Sequence, residues 1–385
     1  MLNVVLVSAD PGLVALVRGF SDESIEFTLE RLLDSKPSPF EMTRTLGTCF
    51  PDAIVLELRD PEYDVHHAKA IHKVAPKVPL VALAGKDVAG QAATIAERHP
   101  DSGILETLVW PFTVTAFEDA LERAVHKNRA LPLENLLAFL PGKAGSGAST
   151  VVYHTAGVLA KQLRKKPLVI EADLHSGLLG TMINAKPRRN VRQALQNAKQ
   201  MEPGEWHHYV ASAHGVDFVV ADPAVKDQIP AWSHYYHLLR FALPKYDVVM
   251  VDLPEVVNNA TAEVVRTARA VYVVSTPELP SLTLARHRCQ ELVHFGVDPS
   301  RIFAVLNRWH RHDISTSDAE EILKHPVAAV FQNDYRSIQR SLVDSKPLEL
   351  GSELGAAYVG FAQKLMGQDA GSAKPAGLFA RLRAS

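Results

Sequence analysis

A glycine-rich segment near the middle of the chain has the residue types that bind phosphate. Its sequence is Gly142-Lys143-Ala144-Gly145-Ser146-Gly147-Ala148-Ser149-Thr150. Glycines let successive backbone N–H groups converge on an anion, and the amino terminus of a following helix adds unpaired N–H groups and a favourable dipole. An apolar run, Leu136–Pro141, precedes the segment, and a helical pattern, Ser149–Leu163, follows it. The predicted strand, loop and helix therefore supply the context that a phosphate-binding loop requires.

The segment departs from the usual phosphate-loop pattern, GxxxxGK[ST], at one position. Gly142, Gly147 and Ser149 match the pattern, and Ser149 would supply the hydroxyl that binds magnesium, but Ala148 stands in the lysine position. A hydrogen bond to a charged group contributes about 1.5–3 kcal/mol, so the missing lysine predicts weaker binding or slower catalysis. For the loop taken alone, a glycine-rich turn that binds nothing is the alternative.

The start of the loop indicates a particular class of phosphate-binding protein. Residues 143–150 resemble the deviant Walker A motif of MinD/ParA-type ATPases, KGGxGK[ST]. In that family the lysine that corresponds to Lys143 reaches across a nucleotide-sandwich dimer to the phosphates of the partner subunit. The form with Ala148 in the second lysine position is similar to the CpaE/TadZ branch, which serves Tad-type pilus assembly. The resemblance implies ATP and Mg²⁺ as ligands, residues 142–150 as the binding loop and Lys143 as a catalytic residue.

Two later segments are similar to the acidic strands of that family. The run Val169–Leu174 resembles the switch I strand, in which Asp173 would position the attacking water, while Glu171 departs from the aspartate usual there. The run Tyr246–Pro254 resembles the Walker B strand. Asp252 would hold Mg²⁺ through water, together with Ser149, because a hard cation prefers oxygen ligands.

The last third of the chain carries residues that resemble the base-binding side of the family. Asn307 matches an asparagine that contacts adenine. The run Phe331–Arg336, with Gln332 and Asn333, and the run Ser345–Leu348 resemble the late loop that packs over the base. By the order and spacing of these matches, residues 136–366 are identified as a MinD/ParA-type domain.

Apolar runs alternate with helical patterns along the chain, which predicts parallel sheets. In residues 1–128 we predict strands at Val4–Ser8, Ala53–Leu58, Val78–Ala84 and Ile104–Val109, and helices at Leu13–Phe20, Val65–Val74, Ala89–Arg98 and Val114–Asn128. After a linker, Arg129–Asn135, we predict strands at Leu136–Pro141, Pro167–Ala172, Phe218–Ala221, Asp247–Asp252, Ala270–Ser275 and Arg301–Asn307, and helices at Ala260–Arg269 and Leu282–Phe295.

The predicted fold class is α/β, with two domains and a tail. Residues 1–130 are predicted to form a receiver-like (flavodoxin-like), doubly wound domain. By the resemblance given above, residues 131–366 are expected to form a MinD/ParA-type P-loop NTPase domain with a mainly parallel sheet. Residues 367–385 are predicted to form a flexible tail, whose end, Leu378–Arg383, is both basic and apolar. That end is either frayed chain or a peptide that docks on a membrane surface or a partner.

The first domain resembles a phosphoacceptor receiver domain that lacks the receiver's chemistry. Asp10, beside Ala9, is the one acid where an acidic pair belongs, and Glu57 occupies the acceptor position. Ala84 stands where a serine or threonine senses phosphate, and Trp110 stands where a lysine neutralises it. The resemblance implies a pseudo-receiver that makes protein–protein contacts and is not phosphorylated.

The composition of the 385 residues excludes several kinds of function. A formal net charge of −2 and the lack of a basic tract weigh against nucleic-acid binding and against a DNA-partition ATPase. Cys49 and Cys289 are far apart, which excludes a disulfide framework or an iron–sulfur reductase and fits a reducing, cytoplasmic setting. The 17 histidines have no acidic or cysteine partner at metal-ligand spacing, and no apolar run reaches the length of a membrane span.

The resemblance to the CpaE/TadZ branch implies a nucleotide-switched assembly or localisation factor for Tad-type (Flp) pilus biogenesis. It would bind ATP in a sandwich homodimer, hydrolyse it slowly or not at all, and contact pilus or secretion-machinery proteins at the inner membrane or cell pole. A catalytically inactive nucleotide-binding scaffold is one alternative, and Ala148 and Glu171 favour it. A response regulator with an ATPase output domain is another, and Glu57, Ala84 and Trp110 weigh against it.

Overall fold

The computed structural model describes residues 1–33, 37–128, 132–222, 224 and 230–367. The chain divides into two compact units, Met1–Ala130 and Leu131–Ser385. The patch predicted at Leu378–Arg383 lies outside the described residues. Within the described part of the chain, no helix has the length and apolar character needed to cross a membrane.

The first unit is a five-stranded parallel sheet flanked by helices. Its strands are β1 (Leu2–Val7), β2 (Phe27–Leu33), β3 (Ala53–Leu58), β4 (Leu80–Ala84) and β5 (Ile104–Val109). Its helices are α1 (Pro11–Glu23), α2 (Pro39–Cys49), α3 (Pro61–Val74), α4 (Ala89–Ala92), α5 (Ile95–Arg98) and α6 (Val114–Lys127). The strands lie in the order β2-β1-β3-β4-β5. This is the order of a flavodoxin-like sheet.

The sequence pattern predicts neither β2 nor α2, and both are present. β2 is the edge strand, and only Phe27 of its seven residues is fully buried. An edge strand with one buried residue has no alternation of apolar and polar positions to recognise. α2 does carry a start signal, because Ser38 and Glu41 form a capping box around its amino terminus.

The helix predicted at Ala89–Arg98 is two short helices, α4 and α5. The break lies at Thr94, whose backbone N–H and hydroxyl both donate to the carbonyl of Gln91, at 3.4 and 3.3 Å. A threonine hydroxyl that bonds to a nearby carbonyl competes with the regular helical ladder. The apolar spacing of the segment continues across the break, so the pattern alone predicts one helix.

The second unit is an eight-stranded, mainly parallel sheet with helices on both faces. Its strands are β6 (Leu133–Pro141), β7 (Pro167–Glu171), β8 (Ala211–Ala213), β9 (Val216–Val219), β10 (Val248–Asp252), β11 (Ala268–Ser275), β12 (Ile302–Trp309) and β13 (Val327–Gln332). Its helices are α7 (Ala148–Lys161), α8 (Leu179–Met182), α9 (Val191–Asn197), α10 (Trp232–Ala242), α11 (Asn259–Thr267), α12 (Leu279–His294), α13 (Thr316–Leu323), α14 (Tyr335–Val343) and α15 (Glu353–Leu365). The predicted α/β class with a mainly parallel sheet is confirmed.

The order of strands places β6 in the middle of this sheet. The order is β13-β12-β11-β6-β10-β7-β9-β8, and only β8 runs antiparallel to its neighbour. Side chains of β6 alternate between two buried faces, with Leu136, Ala138 and Leu140 on one and Leu137 and Phe139 on the other. Since β10 and β11 flank β6, the loops that follow these strands meet at the carboxyl edge of the sheet, where α/β proteins bind ligands.

The sequence-based prediction differs from the structure of this unit in three respects. β6 begins at Leu133, so the predicted linker ends inside the strand, where Asn135 donates to the carbonyls of Leu243 and Tyr246 at 3.0 Å each. β8 and β13 are present although the pattern does not predict them. The predicted late loop 331–336 is mostly regular structure, because β13 ends at Gln332 and α14 begins at Tyr335.

Candidate functional site

The glycine-rich loop has the backbone geometry of an anion site. It leaves β6 at Gly142, whose N–H donates to Val274 O at 2.8 Å, and it turns at Ser146, whose N–H donates to Lys143 O at 3.1 Å. α7 then begins at Ala148 with no side-chain cap at Gly147. The N–H groups of the first helical turn have no partners within a helix. An uncapped helix amino terminus at a glycine-rich turn can therefore accept a phosphate group.

Gly147 and Asn307 determine the shape of the loop. Asn307 lies near the end of β12, and its side-chain amide donates a hydrogen bond to the Ser146 carbonyl oxygen at 2.8 Å. Gly147 has a φ of +92°, and a Cβ on it would lie 2.4 Å from Nδ2 of Asn307. Only glycine adopts this left-handed conformation without strain and leaves room for the amide. The structure thus places Asn307 against the loop backbone, and its predicted contact with adenine stays a prediction.

Helix α12 lies directly against the start of the loop. A Cβ on Gly142 would come within 2.6 Å of the Ala285 Cβ. Glu278 is the amino-terminal cap residue of this helix. A hydrogen bond with Thr276 holds the pKa of Glu278 below its usual value, and the positive charge of Lys143 acts in the same direction. Lys143 therefore lies near the amino terminus of α12, and among the described residues its ammonium group has no ion-pair partner.

Ser149 and Asp252 form the predicted metal-binding pair. Asp252 ends β10 with 2% of its surface exposed, and the Ser149 hydroxyl donates to its carboxylate. Burial raises the pKa of Asp252 to about 8, and the hydrogen bond from Ser149 opposes that rise. The Oδ1 atom is buried without a hydrogen-bond partner among the described residues.

This pair fits a magnesium ion better than it fits a purely structural role. A buried carboxylate oxygen without a donor is costly unless a cation or a hydrogen-bond donor satisfies it. Mg²⁺ is usually held by one or two protein oxygens, with water and substrate phosphates completing its octahedron. The Ser146 hydroxyl is a second buried and unsatisfied polar atom, and it belongs to the loop itself.

Asp173 caps the turn that follows β7. Its Oδ1 accepts hydrogen bonds from the backbone N–H groups of His175 and Ser176, at 3.1 and 2.9 Å, and its Oδ2 accepts from the Ser176 hydroxyl at 2.7 Å. The strand order places this turn beside the end of β10. Three of the roughly four acceptor sites of this carboxylate are thus occupied by its own turn, and the catalytic role of Asp173 stays a prediction.

Glu171 is a structural carboxylate at the end of β7. It is fully buried, and it accepts hydrogen bonds from the backbone N–H groups of Leu179 and Ala221, each at 2.7 Å. Burial raises its pKa to about 7. Glutamate, one methylene longer than the aspartate usual at this position, joins the turn after β7 to the segment that follows β9.

Gln332 and Asn333 lie on the surface where the edge strand β13 ends. Gln332 donates to Glu353 at 2.8 Å, and the Asn333 side chain pairs with Nε2 of His310 at 2.9 Å. Within the described part of the chain, neither side chain is hydrogen-bonded to residues 142–150. Their predicted contact with a nucleotide base stays a prediction.

Two residues at the site were not singled out by the sequence. The Glu255 carboxylate accepts a hydrogen bond from the Ala144 N–H of the loop at 2.9 Å, and it pairs with Arg288 of α12 at 3.5 Å. Glu255 follows Asp252 by three residues, so its place beside the loop could have been inferred from the strand end. Arg288 is one helical turn after Ala285, and only the packing of α12 against the loop identifies it.

Comparisons with known proteins found similar sequences and several similar folds for part of the chain. No protein-family model matches the chain. The septum site-determining protein MinD of Thermotoga maritima is 25% identical over 215 residues, which are 51% of this chain and 74% of that protein.

Solved structures share the fold of about 60% of the chain. A ParA family ATPase from Chlorobium tepidum has a TM-score of 0.54 at 18% identity, over 60% of this chain and 99% of its own. A MinC:MinD cell division protein complex from Aquifex aeolicus matches with a TM-score of 0.52 at 19% identity, over 61% of this chain and 96% of the matched one. The chain is thus similar in sequence to a MinD protein over about half of its length, and similar in fold to a ParA family ATPase and to a protein of a MinC:MinD complex.

Proposed function

We propose that the carboxy-terminal unit binds ATP with Mg²⁺ at residues 142–150 and acts as a nucleotide-controlled switch. The observation that carries this proposal is the uncapped amino terminus of α7, whose second residue, Ser149, interacts with the buried Asp252. The loop amides, including those of Gly145, Gly147 and Thr150, would bind the phosphates, and Ser149 and Asp252 would hold the ion. Bound Mg²⁺ supplies neutralisation of the charge on the β- and γ-phosphates.

The same residues favour slow hydrolysis or none. Ala148, in the lysine position, is 4% exposed and carries no charge to stabilise a transferring phosphoryl group. The Asp173 carboxylate is engaged by three donors of its own turn. ATP would then act by ordering the loops that surround the γ-phosphate, as in other nucleotide switches.

A homodimer is the proposed active form, with Lys143 of each subunit contacting the nucleotide of the other. Exposed apolar side chains lie on the carboxyl edge of the sheet: Leu178 is 61% exposed, Val256 59% and Leu279 62%. Leu178 follows β7, Val256 follows β10 and Leu279 begins α12, so all three belong to the edge of the sheet that carries the phosphate loop. Burial of such residues against a second copy would stabilise the dimer.

The amino-terminal unit is proposed to be a pseudo-receiver that binds other proteins. Glu57, in the acceptor position, is already engaged: it accepts from the Ser8 hydroxyl at 2.9 Å, the Ala9 N–H at 3.1 Å and Nε of Arg59 at 2.6 Å. Trp110 directly follows β5 and is 41% exposed, which leaves an aromatic surface beside α6.

The proposed biological role is assembly or localisation of a Tad-type (Flp) pilus. It rests on the combination of an Ala148-type deviant loop with a receiver-like first unit. The protein would work in the cytoplasm, at the inner membrane or the cell pole, together with pilus or secretion-machinery proteins. A nucleotide-binding scaffold without turnover is the second candidate, and the engaged Asp173 favours it.

The test is nucleotide-dependent dimerisation. Mass measured by light scattering for the full chain should double with Mg-ATP, and the Lys143→Ala variant should stay monomeric at the same nucleotide saturation. A chain whose mass does not respond to saturating ATP would contradict the switch. Turnover that is present in the wild type and lost in Asp173→Ala would eliminate the scaffold, whereas dimerisation without turnover would support it.

A further inference from the structure

The phosphate loop is contacted by a carboxylate of the same chain. Oε2 of Glu255 lies 2.9 Å from the backbone nitrogen of Ala144 and accepts its hydrogen bond. A glycine-rich loop presents its N–H groups so that they can bind the oxygens of an anion. The Glu255 carboxylate is a negatively charged hydrogen-bond acceptor, so it takes the place that a phosphate oxygen would take at this N–H.

The position of Ala144 identifies which phosphate this would be. The inner phosphates lie at the helix end of such a loop, here Gly147–Thr150, and Mg²⁺ bridges the β- and γ-phosphates. Asp252 and Glu255 are three residues apart on the segment that leaves β10. The terminal phosphate would thus lie between the Mg²⁺ position at Asp252 and the Ala144 N–H.

A partly buried arginine holds Glu255 in place. Nη2 of Arg288 lies 3.5 Å from Oε1 of Glu255, and Nη1 lies 2.6 Å from Oε2 of Glu291 in the next turn of α12. The Arg288 side chain is only 15% exposed, and its Nε is buried without a hydrogen-bond partner among the described residues. A guanidinium has five donors and a planar fork suited to phosphate, so Arg288 retains capacity for another anion.

We infer that Glu255 and Arg288 make the loop discriminate nucleoside triphosphate from diphosphate. Glu255 occupies the subsite of the terminal phosphate, and a triphosphate binds only when this carboxylate leaves the Ala144 N–H. The departure of Glu255 frees Arg288, which then pairs with the terminal phosphate and supplies a positive charge that Ala148 does not. A diphosphate lacks the terminal group and binds while Glu255 stays in place.

The inference rests on the proposed function, since it assumes that the loop binds nucleotides. It also explains how a loop without its usual lysine can respond to the γ-phosphate. Because Arg288 belongs to α12, the exchange of its partner from Glu255 to phosphate would change contacts of that helix, which packs on Gly142 through Ala285.

The experiment compares dissociation constants for Mg-ATP and Mg-ADP in the full chain. Glu255→Gln keeps the size of the side chain and removes its charge, so the affinity for ATP should rise about tenfold or more while the affinity for ADP changes little. Arg288→Gln should weaken ATP by a similar factor and leave ADP unchanged. Glu291→Gln is the matched control, because Glu291 pairs with the same arginine but not with the loop, and its ATP-to-ADP ratio should equal that of the wild type.

The outcomes separate this inference from the proposed function. If Glu255→Gln changes the affinities for ATP and ADP by the same factor, or changes neither, the discrimination is wrong although the loop binds nucleotide. If no protein binds either nucleotide, the proposed function fails and the inference falls with it. Thermal unfolding of each variant, compared with the wild type, shows that a lost affinity does not come from a lost fold.

Discussion

The side-chain amide of Asn307 donates a hydrogen bond to the carbonyl oxygen of Ser146 at 2.8 Å, and it fills the space in which a side chain on residue 147 would lie. This relationship joins the end of β12 to the turn of the phosphate loop. The loop therefore needs glycine at position 147 for two reasons: the backbone angle favours glycine, and the Asn307 amide leaves no room for a side chain.

Gly147→Ala should destabilise the loop more than Gly145→Ala. Both glycines have positive φ, +92° and +79°, but an added Cβ at 147 meets Asn307 at 2.4 Å, whereas the Cβ at 145 meets nothing within 4 Å. We expect Gly147→Ala to lower the free energy of unfolding by about 2–4 kcal/mol. Gly145→Ala should cost about 1–2 kcal/mol, the strain of a left-handed backbone alone. Urea unfolding of the variants checks both values.

The double variant Gly147→Ala/Asn307→Ala separates the clash from the strain. Removal of the amide should recover part of the loss that Gly147→Ala causes, because the contact at 2.4 Å no longer exists. Losses that simply add up in the double variant would show that the amide does not determine the choice of glycine.

Glu171→Gln should reduce stability rather than nucleotide turnover. Each Glu171 oxygen accepts a backbone N–H at 2.7 Å, and glutamine would present an NH₂ group to one of them. An unsatisfied buried donor costs about 1–3 kcal/mol. Thermal unfolding of the variant measures this cost, with Asp173→Asn as the control, since one amide oxygen can still accept the two N–H groups that bind Oδ1. Unchanged stability in Glu171→Gln would refute the structural role.

Stability should fall in acid because of His154. Burial lowers the pKa of His154 from 6.5 to about 3, and its ring accepts the Leu348 N–H at 3.3 Å. The unfolded chain binds a proton below pH 6.5 and the folded chain does not, so the contribution is intact above pH 6.5 and is lost as the pH falls from 6.5 towards 3. The slope is at most about 1.4 kcal/mol per pH unit.

Comparison with His154→Gln isolates this contribution from other titrating groups. The wild type should lose stability relative to the variant as the pH is lowered from 7 to 5, as measured by urea unfolding at each pH. Glu171 acts in the opposite direction, because a raised folded pKa favours the folded state at low pH and is common to both proteins. Parallel pH profiles for the two proteins would show that His154 is not the cause.

Acetyl phosphate should not phosphorylate the amino-terminal unit. Glu57 is paired with Arg59, Ser8 and Ala9, and Ala84 is buried at the end of β4, where no hydroxyl can bind a phosphoryl group. We expect no mass increase by intact-protein mass spectrometry in the presence of Mg²⁺. Glu57→Asp should also stay unmodified, because Ala84 and Trp110 remain. A labelled Asp52 or Glu57 would contradict the pseudo-receiver.

The central part of the fold could be predicted because its apolar runs are long and buried on both faces. β3 has the predicted limits, and β7 and β10 differ by one residue at one end. The edge strand β5 also has the predicted limits, although only Ile104 in it is fully buried. The loop at residues 142–150 follows from the same reasoning, since it joins a central strand to a helix. The edge strands β2 and β13 have mixed or half-buried side chains, so the local pattern does not reveal them.

The contacts within the candidate site depend on tertiary packing that no local pattern contains. Motif spacing indicates that Asp252 lies near Ser149, because both follow neighbouring strands. It does not indicate that Asn307 supports the loop backbone, that Glu255 reaches Ala144, or that Arg288 faces Glu255. Each of these contacts joins residues more than 30 positions apart, and each depends on which face of a helix or strand end turns towards the loop.

The most direct test of the account is a calorimetric titration of the full chain with Mg-ATP. We expect saturable binding of one nucleotide per chain, with a large loss of affinity in Asp252→Asn, which removes the charge of the buried carboxylate and keeps its shape. Absence of saturable binding at millimolar Mg-ATP, in both the wild type and Glu255→Gln, would contradict the claim that this loop is a nucleotide site.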